Sequence, residues 1–335
     1  MKMETEFYTI LERAVSKAMN GENGDIEELL ALAAEIEAAP GREERQRRLD
    51  ALCDGADRVR RHHCGNAVET CSIVNGRSGR CSENCKWCAQ SAAHSTGCDE
   101  YLFIDREEFL KACRSNARHG VERISIVCSG RKVALGDIRK FCGMYRQGAA
   151  ETGIGLCASM GLLNRAELQE LYDAGIRRYH CNLETSARFF PTLCTSHTRE
   201  DKLETIRLAR EVGMEVCSGG IIGMGETLRD RLELAAEARD AGACSLPLNL
   251  LNPIPGTPLA DTPLLGEEEA ILSAALMRLT APKLSIRFAG GRRRISREAT
   301  LRMLRGGVNG ALVGDMLTTV GNDIDNDFRL FRETL

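Results

Sequence analysis

Apolar positions in the first part of the chain recur at helical spacing on a polar background, as in "GDIEELLALAAEIEAA", and predict a helical N-terminal extension over residues 1–65. From residue 66 onward the texture changes to short apolar runs that alternate with longer amphipathic segments. Strand-like runs fall at 67–74, 122–129, 155–161, 177–184, 215–223, 244–253, 284–291 and 309–316. Helical stretches such as "REEFLKACRSNARHG", "DKLETIRLAREVG" and "RDRLELAAEARDAG" lie between them and close on the glycine expected just past a helix end. Eight strand–helix units over about 250 residues are what a closed parallel barrel requires, and an open doubly wound sheet would use the same elements. The pattern favours an α/β fold, a (β/α)8 TIM-type barrel over 66–335. In such a barrel the chemistry sits at the strand ends and the loops after them. Cys128, Cys157, Asn182, Glu184, Cys217, Asn249 and Arg287 lie on strands or at their ends, whereas Cys113 and Cys142 fall on helices and read as packing residues.

Composition narrows the chemistry more than the fold. The 335 residues carry 45 basic and 48 acidic side chains, scattered, for a net charge of −3, so no stripe suggests nucleic acid or an anionic membrane. The N-terminal "MKMETEFYTILERAVSK" is charged and lacks an apolar signal core, and no run approaches the ~20 apolar residues of a membrane span. A cytoplasmic setting is expected. Fifteen cysteines are many, and an odd number in a reducing compartment argues for metal or sulfur chemistry over a disulfide framework.

The segment "RSGRCSENCKWCAQS" (77–91) places Cys81, Cys85 and Cys88 in C-x-x-x-C-x-x-C spacing beside Trp87, the chain's single tryptophan. Zinc usually takes four ligands in paired C-x-x-C spacing, or includes histidine or carboxylate at a catalytic site. A cubane iron–sulfur cluster held by three cysteines leaves one iron open to a small molecule.

These residues resemble the signature of the radical S-adenosylmethionine (SAM) superfamily, whose three cysteines bind a 4Fe-4S cluster and whose fourth iron chelates SAM. "GGIIGMGE" (219–226) is similar to the superfamily's G-x-I-x-G-x-x-E pattern and brings in Gly223 and Glu226 as cofactor-binding residues. Within the superfamily, "SGRCSENCKWCAQS", "HCNLETS", "CSGGIIGMGET", "NPIPGTPL" and "IRFAGGR" resemble biotin synthases in the same order, from residue 65 to the C-terminus.

The resemblance implies sulfur insertion into dethiobiotin, where unactivated C–H bonds call for a radical supplied by a cofactor. It implies a flavodoxin- or ferredoxin-type electron donor and a homodimer. By position, Cys81, Cys85 and Cys88 would hold the 4Fe-4S cluster and Trp87 would lie near SAM. Asn182 and Glu184 would contact ribose or substrate, Lys202 the SAM carboxylate, and Asn249 the substrate's ureido ring. Cys157, Cys217 and Arg287 match an auxiliary cluster, 2Fe-2S in the usual pattern, although Arg287 could also serve as a hydrogen-bond donor because a guanidinium is normally charged.

Strand 2 departs from that pattern. Ser125 stands where the family carries a ligand cysteine, and Cys128 comes three residues later. Cys71 on strand 1 could face the interior instead, so both Cys71 and Cys128 are candidates. The missing cysteine and the surplus of others favour a larger 4Fe-5S auxiliary cluster. Alternation along strand 4 turns Cys181 away from the cavity if Asn182 points in. Two readings compete with sulfur insertion: another radical SAM enzyme such as a cofactor maturase, and a non-catalytic iron–sulfur carrier.

Overall fold

In the computed structural model, which describes residues 2–317 and 323–334, parallel strands alternate with helices along the chain. The strands are β1 (Glu69–Arg77), β2 (Arg123–Cys128), β3 (Gly155–Ser159), β4 (Arg178–His180), β5 (Glu215–Cys217), β6 (Gly220–Ile222), β7 (Ser245–Leu250), β8 (Ser285–Phe288) and β9 (Gly310–Leu312). Their order is β5-β4-β3-β2-β1-β9-β8-β7-β6, and pairing of β5 with β7 closes the ring. The fold is the closed parallel barrel that the alternation predicts.

One predicted stave, 215–223, is two segments. The break falls at Ser218 and Gly219, beside Pro247 of β7, which has no N–H to give to a ladder. A Cβ on Gly219 would stand 2.2 Å from the Pro247 carbonyl oxygen, so only glycine lets the two backbones approach this closely. The Gly219 N–H goes instead to the side-chain oxygen of Asn182 at 3.1 Å. Strand β4 is also shorter than its apolar run, because the chain leaves the pleat after His180 and Glu184 adopts φ +73°.

Three helices, α1 (Lys2–Met19), α2 (Ile26–Glu37) and α3 (Arg42–Cys64), precede the barrel. The outer helices are α4 (Arg106–Arg118), α5 (Leu135–Thr152), α6 (Arg165–Asp173), α7 (Arg199–Glu211), α8 (Leu228–Asp240), α9 (Glu267–Thr280) and α10 (Arg297–Arg305), followed by α11 (Ile324–Thr334). Helix α3 lies against α9 and α10, and Phe7 and Leu11 belong to the same apolar core as the barrel staves. Arg278 of α9 is fully buried there and donates to the Gly307 and Leu284 carbonyls at 2.7 and 2.6 Å, satisfying backbone groups that would otherwise be lost from water. Cys113 and Cys142 are buried within this core. Among the described residues no helix is long and apolar enough to cross a membrane.

Candidate active site

The segment between β1 and α4 is long, and short-range hydrogen bonds fold it over the strand ends. The Cys81 N–H donates to the Gln90 carbonyl at 2.9 Å, the Ala92 N–H to the Cys81 carbonyl at 2.8 Å and the Cys88 N–H to the Cys85 carbonyl at 3.0 Å. The loop is also tied across the barrel, because the Lys86 N–H reaches the Leu193 carbonyl at 3.0 Å. Trp87 packs on the small apolar cluster of Leu193, Met224 and Leu251. Cys81, Cys85, Trp87 and Cys88 all border one cavity of about 390 Å³.

Deeper in the same cavity lie Cys71, Cys157, Cys217 and Arg287. The barrel register places Cys157 beside Ser125 on one side and Arg178 on the other, and Cys217 beside His180 and Ser245. Arg287 approaches Cys71 most closely, with Nη1 2.7 Å from the sulfur. Its other nitrogens are committed, Nε to Ser245 Oγ at 2.7 Å and Nη2 to Glu69 Oε2 at 2.6 Å. A Cβ on Gly310 would come within 2.9 Å of the Arg287 Cβ, so the glycine leaves room for this side chain.

Glu69 organises the floor. Its Oε1 accepts from Arg123 and Arg178, both at 2.8 Å, and its Oε2 accepts from Arg287 and from Ser285 Oγ at 2.8 Å. Burial opposes the carboxylate charge, but Arg287 and Arg178 outweigh it and hold Glu69 down at about 2. Arg178 and Arg123 are also paired with Glu215 and Glu122, at 2.9 and 3.3 Å, so Arg287 is the cation that faces the thiols. Burial and the neighbouring Cys71 push Cys157 up to about 12, and burial raises Cys71 as well. Metal binding at Cys71 and Cys157 would release their protons. A guanidinium aimed at converging thiols suits an anionic iron–sulfur cluster.

The two candidates for the remaining cysteine separate on β2. Ser125 faces Cys157 in register, borders the cavity, and its buried hydroxyl has no hydrogen-bond partner. Cys128 touches the cavity edge, but its sulfur lies 3.2 Å from where a Gly76 Cβ would stand, in the space shared with Ile126 and Phe141 on the helix side. Cys71 therefore stands with Cys157, Cys217 and Arg287, and Cys128 does not.

Around the mouth, Asn182, Glu184, Lys202 and Asn249 border the cavity. Glu184 takes its left-handed backbone conformation where its N–H donates to the Gly219 carbonyl and its carbonyl accepts from Ile221, both at 2.9 Å. A non-glycine residue pays about 1–3 kcal/mol for such a conformation, a cost found mostly at functional sites. Asn249 donates to the Gly220 carbonyl at 2.9 Å and accepts from the Gly290 N–H at 2.8 Å, which leaves one N–H and one lone pair for a ligand. Lys202 has no carboxylate partner among the described residues and lies 5.8 Å from the Phe190 ring centre. Gly223 and Glu226 sit outside the cavity wall. The Glu226 carboxylate accepts from the Gly223 and Met224 N–H groups, both at 2.7 Å, and from Arg231 Nε at 2.6 Å, so it braces the turn that carries Ile221 into the wall. Cys181 is buried, its sulfur 4.0 Å from the Lys202 carbonyl.

Sequence reading missed Glu69, Arg178, His180 and Ser245. His180 borders the cavity, and burial in the barrel wall pulls it down to about 4. A charged residue at the N-terminal end of each of several strands is the one signal that could have found the floor.

Comparison with known proteins gives the family. The family model of the Radical SAM superfamily matches residues 77–238, and that of the Biotin and Thiamin Synthesis associated domain matches 247–334. The chain is 44% identical to biotin synthase of Akkermansia muciniphila over 95% of either chain. It is 48% identical to biotin synthase of Desulfotalea psychrophila over 84% of either chain. Among solved structures, methylornithine synthase superposes with a TM-score of 0.79 at 19% identity, covering 96% of this chain and 95% of that one. The FeFe-hydrogenase maturase from Carboxydothermus hydrogenoformans superposes at 0.76 and 13% identity, covering 99% and 81%, and both of these likenesses bear on the fold alone. With two adjoining family models and relatives of this identity over most of their length, the chain belongs to the biotin synthase family of radical SAM enzymes.

Proposed function

We propose that the cavity inserts sulfur into dethiobiotin and closes the ring of biotin. The observation that carries the reading is that the Cys81–Cys85–Cys88 loop and the group Cys71, Cys157, Cys217 and Arg287 open onto the same cavity. When bound, a 4Fe-4S cluster with SAM supplies a carbon-centred radical, and an auxiliary iron–sulfur cluster supplies the sulfur.

The chain's own work is to hold these groups and exclude water. Cys81, Cys85 and Cys88 would hold the first cluster. Trp87 walls it, and the Lys202 ammonium, without a carboxylate partner among the described residues, suits a cofactor carboxylate. Glu184 and Asn182 offer polar groups at the rim, with Asn182 held by Gly219. The free donor and acceptor of Asn249 match a cyclic urea. At the floor, Cys71 takes the part of the strand-2 cysteine, and Ser125 in place of that cysteine favours the larger 4Fe-5S form. The flavodoxin- or ferredoxin-type donor, the homodimer and the cytoplasmic setting rest on the family resemblance alone.

The test is anaerobic reconstitution with iron and sulfide, followed by dethiobiotin, SAM and a strong reductant. Biotin together with 5'-deoxyadenosine is expected. Deoxyadenosine without biotin would remove the substrate, and neither product from iron-loaded protein would return the carrier reading.

A further inference from the structure

A second group of ligating side chains meets the cluster loop and is used neither by the signature nor by the floor. The Cys194 sulfur lies 3.6 Å from the Cys85 sulfur. The His197 ring sits beside it, with Nδ1 at 3.4 Å and Nε2 at 3.9 Å. The ligand atoms of Cys85, Cys194 and His197 fall within 4.8 Å of one another. Cys194 and His197 are buried, at 4% and 8% exposure, while Cys85 opens on the cavity.

The two sulfurs stand near the spacing of a coordination polyhedron, and His197 Nε2, at 3.9 Å from Cys194, needs a small ring shift to complete it. Metal–sulfur and metal–nitrogen bonds of about 2.3 and 2.0–2.1 Å put two sulfurs of a tetrahedral site about 3.8 Å apart, and sulfur and nitrogen about 3.5 Å apart. Glu83 adds an outer partner. Its Oε2 lies 2.5 Å from His197 Nδ1 and accepts from Ser196 Oγ at 2.8 Å. A carboxylate on one imidazole nitrogen orients the ring and leaves the other as ligand, an arrangement common behind metal-bound histidines.

We propose that the cluster-free chain binds one divalent ion of borderline softness, ferrous or zinc, through Cys85, Cys194 and His197 Nε2, with Glu83 orienting the ring. Both sulfurs bind as thiolates, with the proton that Cys85 donates toward Cys194 released to solvent, and the two thiolates neutralise the ion, as a mostly buried site requires. The fourth position is open to water. One sulfur cannot serve both sites, so this ion and the 4Fe-4S cluster exclude each other. Exclusion rests on the reading of Cys85 as a cluster ligand, whereas ion binding does not.

Cobalt(II) titration of the cluster-free chain, followed by its sulfur-to-cobalt and tetrahedral visible bands, tests the site. Cys81→Ala/Cys88→Ala removes the rest of the signature and should retain the bound ion. Adding Cys194→Ala or His197→Ala to that background should abolish one equivalent. Unchanged cobalt bands in both triple variants, or loss of the equivalent in the double variant, would overturn the site. Cys194→Ser in the otherwise native chain, checked for folding by circular dichroism, guards against a merely unfolded variant and should also lose the equivalent. Zinc added before iron and sulfide should then block cluster assembly in the native chain and not in Cys194→Ala. Cobalt binding with no zinc block would keep the ion site and overturn the exclusion, and with it the role of Cys85.

Discussion

Glu69 shows how much of the site depends on one side chain outside the signature. Its carboxylate joins β1 to β2, β4 and β8 through Arg123, Arg178 and Arg287, and it aims one Arg287 nitrogen at Cys71 by holding another. Glu69→Gln keeps the volume and removes the charge, which leaves buried Arg287 without its carboxylate while Arg178 and Arg123 keep Glu215 and Glu122. Removing one partner of a buried ion pair costs up to about 3 kcal/mol, and urea unfolding should record a loss below that bound because Glu69 is partly exposed. Iron analysis of the folded fraction should find the auxiliary iron reduced and the SAM-binding cluster retained. Unchanged auxiliary iron would end the positioning role. The neighbouring sulfurs divide in the same way. Cys71→Ala, Cys157→Ala and Cys217→Ala are each expected to lower auxiliary iron, while Cys128→Ala, whose sulfur lies toward Phe141, is expected to retain it. Auxiliary iron lost only in the Cys128 variant would reverse that assignment.

The elements place these residues by interrupting regular structure where the ligands bind. The stave formed by β5 and β6 breaks beside Pro247, and the freed Gly219 N–H captures Asn182. Glu184 spends backbone strain to follow that break. The next helix restores order: Thr227 caps α8 by accepting from the Asp230 N–H at 3.3 Å, and Asp230 returns to the Thr227 N–H at 2.8 Å. Asp230 also accepts from Ser186 Oγ at 2.5 Å, so the cap ties α8 to the segment after β4. Thr227→Ala should lower unfolding free energy by about 1 kcal/mol, the usual value of an N-cap. Equilibrium unfolding in urea measures it, and a change within about 0.3 kcal/mol of zero would show that Asp230 holds the helix start by itself.

At the scale of the whole molecule, burying polar groups in a closed barrel makes stability depend on pH. Burial in the barrel wall holds His180 at about 4, below the ordinary histidine value. Asp230 is held at about 2, where hydrogen bonds from Ser186, Thr227 and Arg188 outweigh its burial. Both values are lower folded than unfolded, so the unfolded chain binds more protons and stability rises with pH. The metal-free chain should lose unfolding free energy as pH falls from about 6.5 to 4 through His180, and again from about 4 to 2 through Asp230 and Glu69. Urea unfolding across this range checks the sign, and His180→Asn should flatten the upper step. An upper step equally steep in the variant would assign it to another group.

The sequence by itself determined what is local: the strand–helix alternation, the spacing of Cys81, Cys85 and Cys88, and the residues at most strand ends. Such patterns survive in a linear reading because a period of two or 3.6 residues, or three ligands in eight residues, needs no distant partner. Which side of a stave faces inward, and which distant residues share a level, follow from closing and staggering the barrel. Only the tertiary structure could therefore set Cys71 with Arg287 and turn Cys128 toward the helices. The same closure gathered residues 69, 123, 178 and 287 into one charged floor, and it brought Cys194 and His197 against Cys85, more than a hundred residues earlier in the chain.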